Sequence, residues 1–244
     1  MVSPPANRVS FVVPAWNEEL VLPGTLQAIH RAARDAGLDY QIVVADDGST
    51  DRTNEIARAE GAEVVACAHR QIAATRNTGA RASDGDLLIF VDADTQVSTE
   101  AVRGAVDAVA GGATYGGADL TWDGAIPLWT RLMLRGTLLM YRLDKLASGA
   151  FFFCTRDAFE RVGGFDESLF AAEEYYLAKK LKKLGRHAWI KDRVVTSGRK
   201  LRAHAASELL RDSARLMFGG KRALQKREHA GLWYEPRKDD PGAE

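Results

Sequence analysis

Leu87-Leu88-Ile89-Phe90-Val91-Asp92-Ala93-Asp94 is the stretch on which the fold of this chain turns. An uninterrupted apolar run this short reads as a strand covered by helices on both faces rather than one with a wet face. Two carboxylates follow it, and strand alternation sets Asp92 and Asp94 on the same side. Unpaired, they repel, and one tends to stay protonated. A divalent cation removes the conflict, because Mg²⁺ or Mn²⁺ takes oxygen ligands from one or two carboxylates and completes its shell with substrate phosphates. The alternative is a plain turn into a helix capped by Ser98 or Thr99, which needs neither acid.

Working outward, the same kind of run recurs. Val9–Val13, Gln41–Ala45 and Glu63–Ala66 read as strands, and Asp86–Val91 as a fourth. Between them Glu18–Ala36, Asp51–Glu60 and Ile72–Ala82 read as helices. Strand–helix alternation with right-handed crossovers predicts a doubly wound α/β sheet, mostly parallel, with helices on both faces. Beyond it the pattern predicts a helix over 99–110, a strand over 113–121 and a long helix around 127–146. The strand Ala150–Cys154, the helix Glu173–Leu184 and the strand His187–Ile190 follow. A basic helix over about 203–227 and a frayed end over 235–244 close the chain. We therefore expect one domain over 1–198, with a first half over about 8–98 and a second over about 99–198. Residues 199–244 are expected as a basic extension.

In open α/β sheets, ligands bind beyond the carboxyl ends of the strands, and polar chemistry gathers there. The first strand ends in Pro14-Ala15-Trp16-Asn17-Glu18. Pro14 lacks an N–H and fixes the strand exit. Trp16 is either a core indole or a platform for a nucleobase. The second strand ends in Asp46-Asp47-Gly48-Ser49-Thr50-Asp51, where a turn and a helix cap account for Gly48, Ser49 and Asp51. They leave the Asp46–Asp47 pair over, and a carboxylate there can accept from a base N–H. Arg76, followed by Asn77, is either salt-bridged or a bidentate diphosphate clamp. Glu173 and Glu174 head a helix striped by Leu177, Leu181 and Leu184, where the helix dipole alone favours acids. The five histidines show no ligand spacing; His204 alone falls where it could approach the site.

Composition bounds the reading. The chain has 244 residues, 46% hydrophobic and 27% charged, with net charge zero, the profile of an ordinary globular domain. The charge is unevenly spread: residues 1–100 carry net −7 and the remainder +7. Residues 199–227 hold nine Lys or Arg against two acids. That basic segment is either a solvated face or a contact with an anionic acceptor or membrane. Cys67 and Cys154 lie in apolar contexts and read as small buried hydrophobes in a reducing compartment. The prolines near the N-terminus break any signal-peptide run. Ile126–Leu146, the most apolar long segment, is interrupted by Arg131, Arg135, Arg142, Asp144 and Lys145. It is too charged to span a membrane but able to lie on one. The expected location is cytoplasmic, including the inner face of the membrane, and nucleic acid is not among the expected partners.

With these motifs in order, the sequence resembles the family 2 inverting glycosyltransferases with the GT-A fold. The resemblance runs from Val9 to Arg193 and rests on VPAWNEE, DDGSTD, Ala73–Gly79, DADTQ, SGAFFF, VGGFDE and EEYYLAKKLKKLG. It implies a nucleotide-diphosphate sugar donor, UDP- or GDP-linked, an acceptor glycan, lipid or small molecule, and a divalent cation, Mn²⁺ or Mg²⁺. It implies that Pro14, Trp16, Glu18 and Asp47 hold the nucleoside and that Arg76 contacts the diphosphate. Asp92 then touches nucleotide or metal, and Asp94 ligates the metal. Ser148, Gly149 and Glu173 border donor sugar and acceptor. Glu173-Glu174 stands where the family usually shows Glu-Asp, whose second acid is commonly the catalytic base; here that position is Glu174. Two other readings stand beside it: a non-catalytic module binding nucleotide sugars or glycans, and a sugar nucleotidyltransferase, whose usual Gly- and Lys/Arg-rich signature after strand one is missing from PAWNEE.

Overall fold

The computed structural model describes residues 8–203, 220–229 and 234. Eight strands form one sheet: β1 (Val9–Ala15), β2 (Tyr40–Asp46), β3 (Glu63–Ala66), β4 (Leu87–Val91), β5 (Thr95–Gln96), β6 (Ala113–Trp122), β7 (Phe151–Thr155) and β8 (Arg186–Thr196). Their order is β3-β2-β1-β4-β7-β6-β8-β5. β1 pairs in parallel with β2 and β4, β2 with β3, and β6 with β8. β7 is antiparallel to β4 and β6, and β5 to β8. All strands but β5 and β7 thus point one way, the mostly parallel sheet expected.

The central strands are apolar throughout because both faces are covered. Phe11, Ile89, Phe151 and Phe153 pack on one face with Leu26 and Ile29 of α1 (Leu22–Asp35) and Val102 and Ala105 of α4 (Thr99–Ala110). Val12, Leu88, Phe90 and Phe152 face the other way. They meet Ala73 and Ala80 of α3 (Ile72–Ala82), Phe159 of α6 (Arg156–Arg161), and Leu177 and Leu181 of α7 (Glu173–Leu181). Gly79 allows α3 to sit this close: a Cβ there would lie 2.5 Å from Val12 Cγ1. α2 (Thr53–Ala59) and α5 (Leu128–Leu143) complete the main body.

Three local expectations are corrected. The first helix starts at Leu22 rather than Glu18, because residues 18–19 are stitched to the facing turn: the Glu18 N–H donates to Thr53 Oγ1 (2.8 Å) and the Glu19 N–H to Asp51 Oδ2 (3.1 Å). α6 is an addition, its N-terminus capped by Thr155 Oγ1. β8 runs on through Lys191-Asp192-Arg193 to Thr196; it pairs with β6 through a bulge, so exposed charges do not end it. Ser98, as expected, caps α4, accepting from the Ala101 N–H at 3.1 Å.

Of the basic C-terminal segment, α8 (Arg199–Ala203) and α9 (Gly220–Leu224) are described. His204 and most of the expected helix over 203–227 lie outside the described residues. Leu224 packs against Leu169 and Ala171, with Tyr234 beside them, so this segment contributes to the body. No helix of the described residues is long and apolar enough to cross a membrane.

Candidate active site

The loops after β1 and β2 are built together. The Asn17 N–H donates to Ser49 Oγ, and Asn17 Oδ1 accepts from the Thr50 N–H. Asp46 is a turn residue: its carboxylate accepts from the Ser49 N–H and from Asn54 Nδ2. Asp47 does something else. It accepts from the Arg70 N–H (2.8 Å), the Gln71 N–H (3.0 Å) and Thr75 Oγ1 (2.9 Å), which ties it to the start of α3. Arg70, at φ 51°, lays its guanidinium 3.5 Å from the centre of the Trp16 ring. Trp16 is therefore no core indole; it is half-buried at the rim of a cavity it shares with Pro14, Glu18, Asp47, Asp92 and Asp94.

Asp92 and Asp94 do face the same cavity, while Ala93 between them points into the core. Each carboxylate meets an arginine. Arg76, only 2% exposed, donates from Nη2 to Asp92 Oδ1 (2.7 Å) and the Gly149 carbonyl (3.2 Å), and from Nη1 to Glu173 Oε1 (2.5 Å). Burial of so strongly basic a group is compensated by the two carboxylates it bridges. In this arrangement Arg76 organises Asp92 and Glu173, and its guanidinium is spent on them rather than turned toward a diphosphate. Asp94 Oδ2 accepts from Arg199 Nη2 at 3.0 Å, and the same nitrogen donates to both Glu18 oxygens, at 2.8 and 3.2 Å. Arg199 is delivered there by the end of β8, which pairs with β5 just past the acidic pair; the Ser197 N–H donates to the Asp94 carbonyl.

Glu173 and Glu174 open α7 directly after Ala172, which sits in the left-handed region at φ 58°. That conformation is costly for a residue with a Cβ, and it turns the chain so that the first helical turn enters the cavity. The upstream Gly163-Gly164 turn is pinned by Asn77, which accepts from the Phe165 N–H and donates to the Phe165 carbonyl. Glu173 is held by Arg76. The Glu174 carboxylate, in contrast, has no side-chain donor among the described residues and lines the cavity with Tyr141, Ser148 and Gly149. Burial, reinforced by the charge of Glu173, pushes its carboxyl well above the usual range.

Two cavities thus meet. One holds Pro14, Trp16, Glu18, Asp47 and Arg70; the other, of about 330 Å³, holds Arg76, Ser148, Gly149, Glu173 and Glu174. Asp92 and Asp94 line both. Apart from His204, which lies outside the described residues, the residues expected at the site therefore gather in these two cavities at the strand ends. Sequence reasoning missed Arg70, Tyr141, Arg199 and Tyr234, whose hydroxyl accepts from the Ile72 N–H and lines the first cavity.

A mostly parallel sheet closed by an antiparallel β7, with helices on both faces, is the GT-A fold that the solved structures below share. The chain belongs to glycosyl transferase family 2, whose family model matches residues 10–163. It is 39% identical over 116 residues to the undecaprenyl-phosphate 4-deoxy-4-formamido-L-arabinose transferase of Pseudomonas paraeruginosa, a match covering 44% of this chain and 34% of that protein. The transferase of that name from Klebsiella pneumoniae is 36% identical over 111 residues, 41% of this chain and 32% of that protein. The chain thus matches about a third of the length of these curated relatives. Among solved structures, a mannosyltransferase from Pyrobaculum calidifontis in complex with GDP-Man and Mn²⁺ superposes with a TM-score of 0.66 at 19% identity, over 94% of this chain and 70% of that one. The glucosyl-3-phosphoglycerate synthase of Mycobacterium tuberculosis, in complex with Mn²⁺, UDP and glucosyl-3-phosphoglycerate, gives 0.57 at 24%, over 86% and 77%.

Proposed function

We propose that this chain is an inverting glycosyltransferase that moves one sugar from a UDP- or GDP-linked donor to a hydroxyl of a glycan, lipid or small molecule, assisted by Mn²⁺ or Mg²⁺. The observation that carries the reading is the position of Asp92 and Asp94 between a cavity with an aromatic rim and one lined by the Glu174 carboxylate. A donor laid across that junction puts its nucleoside beside Trp16, its diphosphate at the acidic pair and its sugar toward Glu174. A pure binding module would leave Glu174 without a task.

The donor set fits a cation held partly by substrate. Asp92 and Asp94 offer hard oxygen ligands, and no cluster of three or more His, Cys, Asp or Glu able to cage a metal occurs among the described residues. Two carboxylates completed by phosphate oxygens is what Mg²⁺ or Mn²⁺ takes at such sites. When bound, the cation supplies Lewis-acid charge against the leaving diphosphate.

The side chains divide the remaining work. Trp16 stacks on the base. Asp47, with three of roughly four lone-pair sites engaged, keeps one for a base N–H. Arg76 aims Asp92, and Arg199 ties Asp94 to Glu18 at the same corner. Ser148, Gly149 and Glu173 border the sugar. Glu174 takes the proton of the acceptor hydroxyl as its oxygen bonds to the anomeric carbon and the bond to the diphosphate breaks.

Two substitutions test the two ends of this arrangement. Asp94→Ala removes the gain in donor affinity that Mn²⁺ brings while the melting temperature holds. Calorimetry showing the same affinity as wild type with Mn²⁺ present would refute the cation assignment. Trp16→Ala weakens nucleotide binding by about 1–3 kcal/mol. Because the indole is half-buried, its urea midpoint changes little; a loss of about 3–5 kcal/mol in stability with intact binding would return Trp16 to the core.

A further inference from the structure

Helix α5 is poorly buried: of its 16 residues only Thr130 is buried. Its surfaces are nevertheless sorted. At 3.6 residues per turn, Leu128, Leu132, Leu139 and Leu143 fall within about 60° of one another. All four are exposed, from 57% to 72%, with Trp129 and Met140 beside them. An exposed apolar stripe of this length on one helix marks a contact surface. Arg131, Arg135 and Arg142 fall within about 40° of one another on the adjoining flank.

The arginine flank faces a third cavity, of about 370 Å³, between α5 and the ends of β6 and β8. Arg193 of β8 joins the three helix arginines in lining it, and Asp119 is its one acid. None of the four guanidiniums has an ion-pair or hydrogen-bond partner among the described residues, unlike Arg76, Arg199 and Arg202, which are all paired. Four arginines around one concavity, with no ion-pair partner among the described residues, call for a concentrated anion, and a guanidinium fork matches phosphate oxygens. The apolar stripe beside them calls for hydrocarbon. An amphiphile with a phosphate head answers both demands, whereas a soluble anion leaves the leucines bare. The cavity also shares Leu120, Trp122 and Leu138 with the one that holds Glu174.

We propose that α5 and Arg193 form a docking site for the phosphate headgroup of an anionic lipid, with the leucine stripe lying in the bilayer interface beside the acceptor cavity. The proposed site is built from residues outside the C-terminal basic segment and does not depend on the donor chemistry proposed above. In an interfacial helix the apolar stripe supplies anchorage and the basic flank supplies salt-sensitive attraction to anionic lipid.

Sedimentation of the full chain with phosphatidylcholine vesicles, with and without phosphatidylglycerol, tests this. The wild type is retained by the anionic vesicles and released from them by salt. Arg131→Gln/Arg135→Gln/Arg142→Gln lowers the partition coefficient by about 100-fold, at about fivefold per charge. Leu132→Ser/Leu139→Ser/Leu143→Ser lowers it too, and what remains is released by less salt. Because both triple variants change exposed side chains, their thermal unfolding by circular dichroism matches wild type. Equal retention on neutral and anionic vesicles would overturn the headgroup assignment. Wild-type retention of both α5 variants, with binding lost on Arg211→Gln/Arg215→Gln in the C-terminal segment, would overturn the site.

Discussion

Glu174→Gln turns over at least about 100-fold more slowly than the wild-type chain, the loss expected for a positioned general base. Donor affinity is nearly unchanged, because Gln keeps the shape of the side chain and no side chain of the described residues donates to the carboxylate it replaces. Glu174→Asp retains part of the activity, at a shorter reach. The neighbouring acid is the control. Glu173 is clamped by Arg76 at 2.5 Å, so Glu173→Gln disturbs Arg76 and stability before it disturbs proton transfer. The pH profile adds a second readout. The base must be deprotonated, and burial together with the Glu173 charge raises the carboxyl. The rate therefore falls, as pH is lowered, at a pH well above the ordinary glutamate value of about 4.3. Steady-state kinetics on both Gln variants decides the assignment: wild-type turnover by Glu174→Gln, with Glu173→Gln inactive, would transfer the role to Glu173.

Arg76→Met costs about 3–5 kcal/mol of stability, the range for breaking a buried ion pair by removing one partner. Asp92 and Glu173 are then left as neighbouring acids without the cation between them. Arg76→Lys recovers only part of the loss, since a single ammonium cannot reproduce the two arms that reach Glu173 on one side and Asp92 with the Gly149 carbonyl on the other. Urea denaturation measures both. Should Arg76→Met unfold at the wild-type midpoint and lose only donor binding, the guanidinium is a diphosphate ligand, and its place between the two carboxylates is incidental.

What was legible in the sequence was local. The run 87–94 announces a covered strand and an acidic exit because alternation and apolarity act over a few residues, and the other strand ends repeat the signal. The strands and helices follow with boundaries off by a turn, as at Glu18, where the side chains that end the loop belong to residues 51–53. What was not legible depends on distance along the chain. Arg199 meets Asp94 from 105 positions away, and in Arg199-Lys200-Leu201-Arg202 it reads as one more surface cation. Its one local sign is the Ser197-Gly198 turn that ends β8. Arg76 was visible as a residue but not in its setting, because burial between Asp92 and Glu173 arises only once α3, β4 and α7 converge. The sorted flanks of α5 were present in the sequence as interruptions of an apolar segment; only the fold turns the arginines toward a cavity and leaves the leucines bare.

The central claim, sugar transfer from a nucleotide-diphosphate donor, is tested most directly by donor consumption. The full chain is incubated with UDP- and GDP-sugars, Mn²⁺ and candidate acceptors, and release of nucleoside diphosphate is followed. Donors that bind are found first by the rise in melting temperature they cause. At least one nucleotide sugar is expected to raise that temperature in the presence of Mn²⁺ and to be converted to nucleoside diphosphate, with Glu174→Gln binding it but releasing little. A chain that is stabilised by nucleotide sugars yet releases no nucleoside diphosphate with any acceptor, or that is stabilised by none of them, would contradict the account.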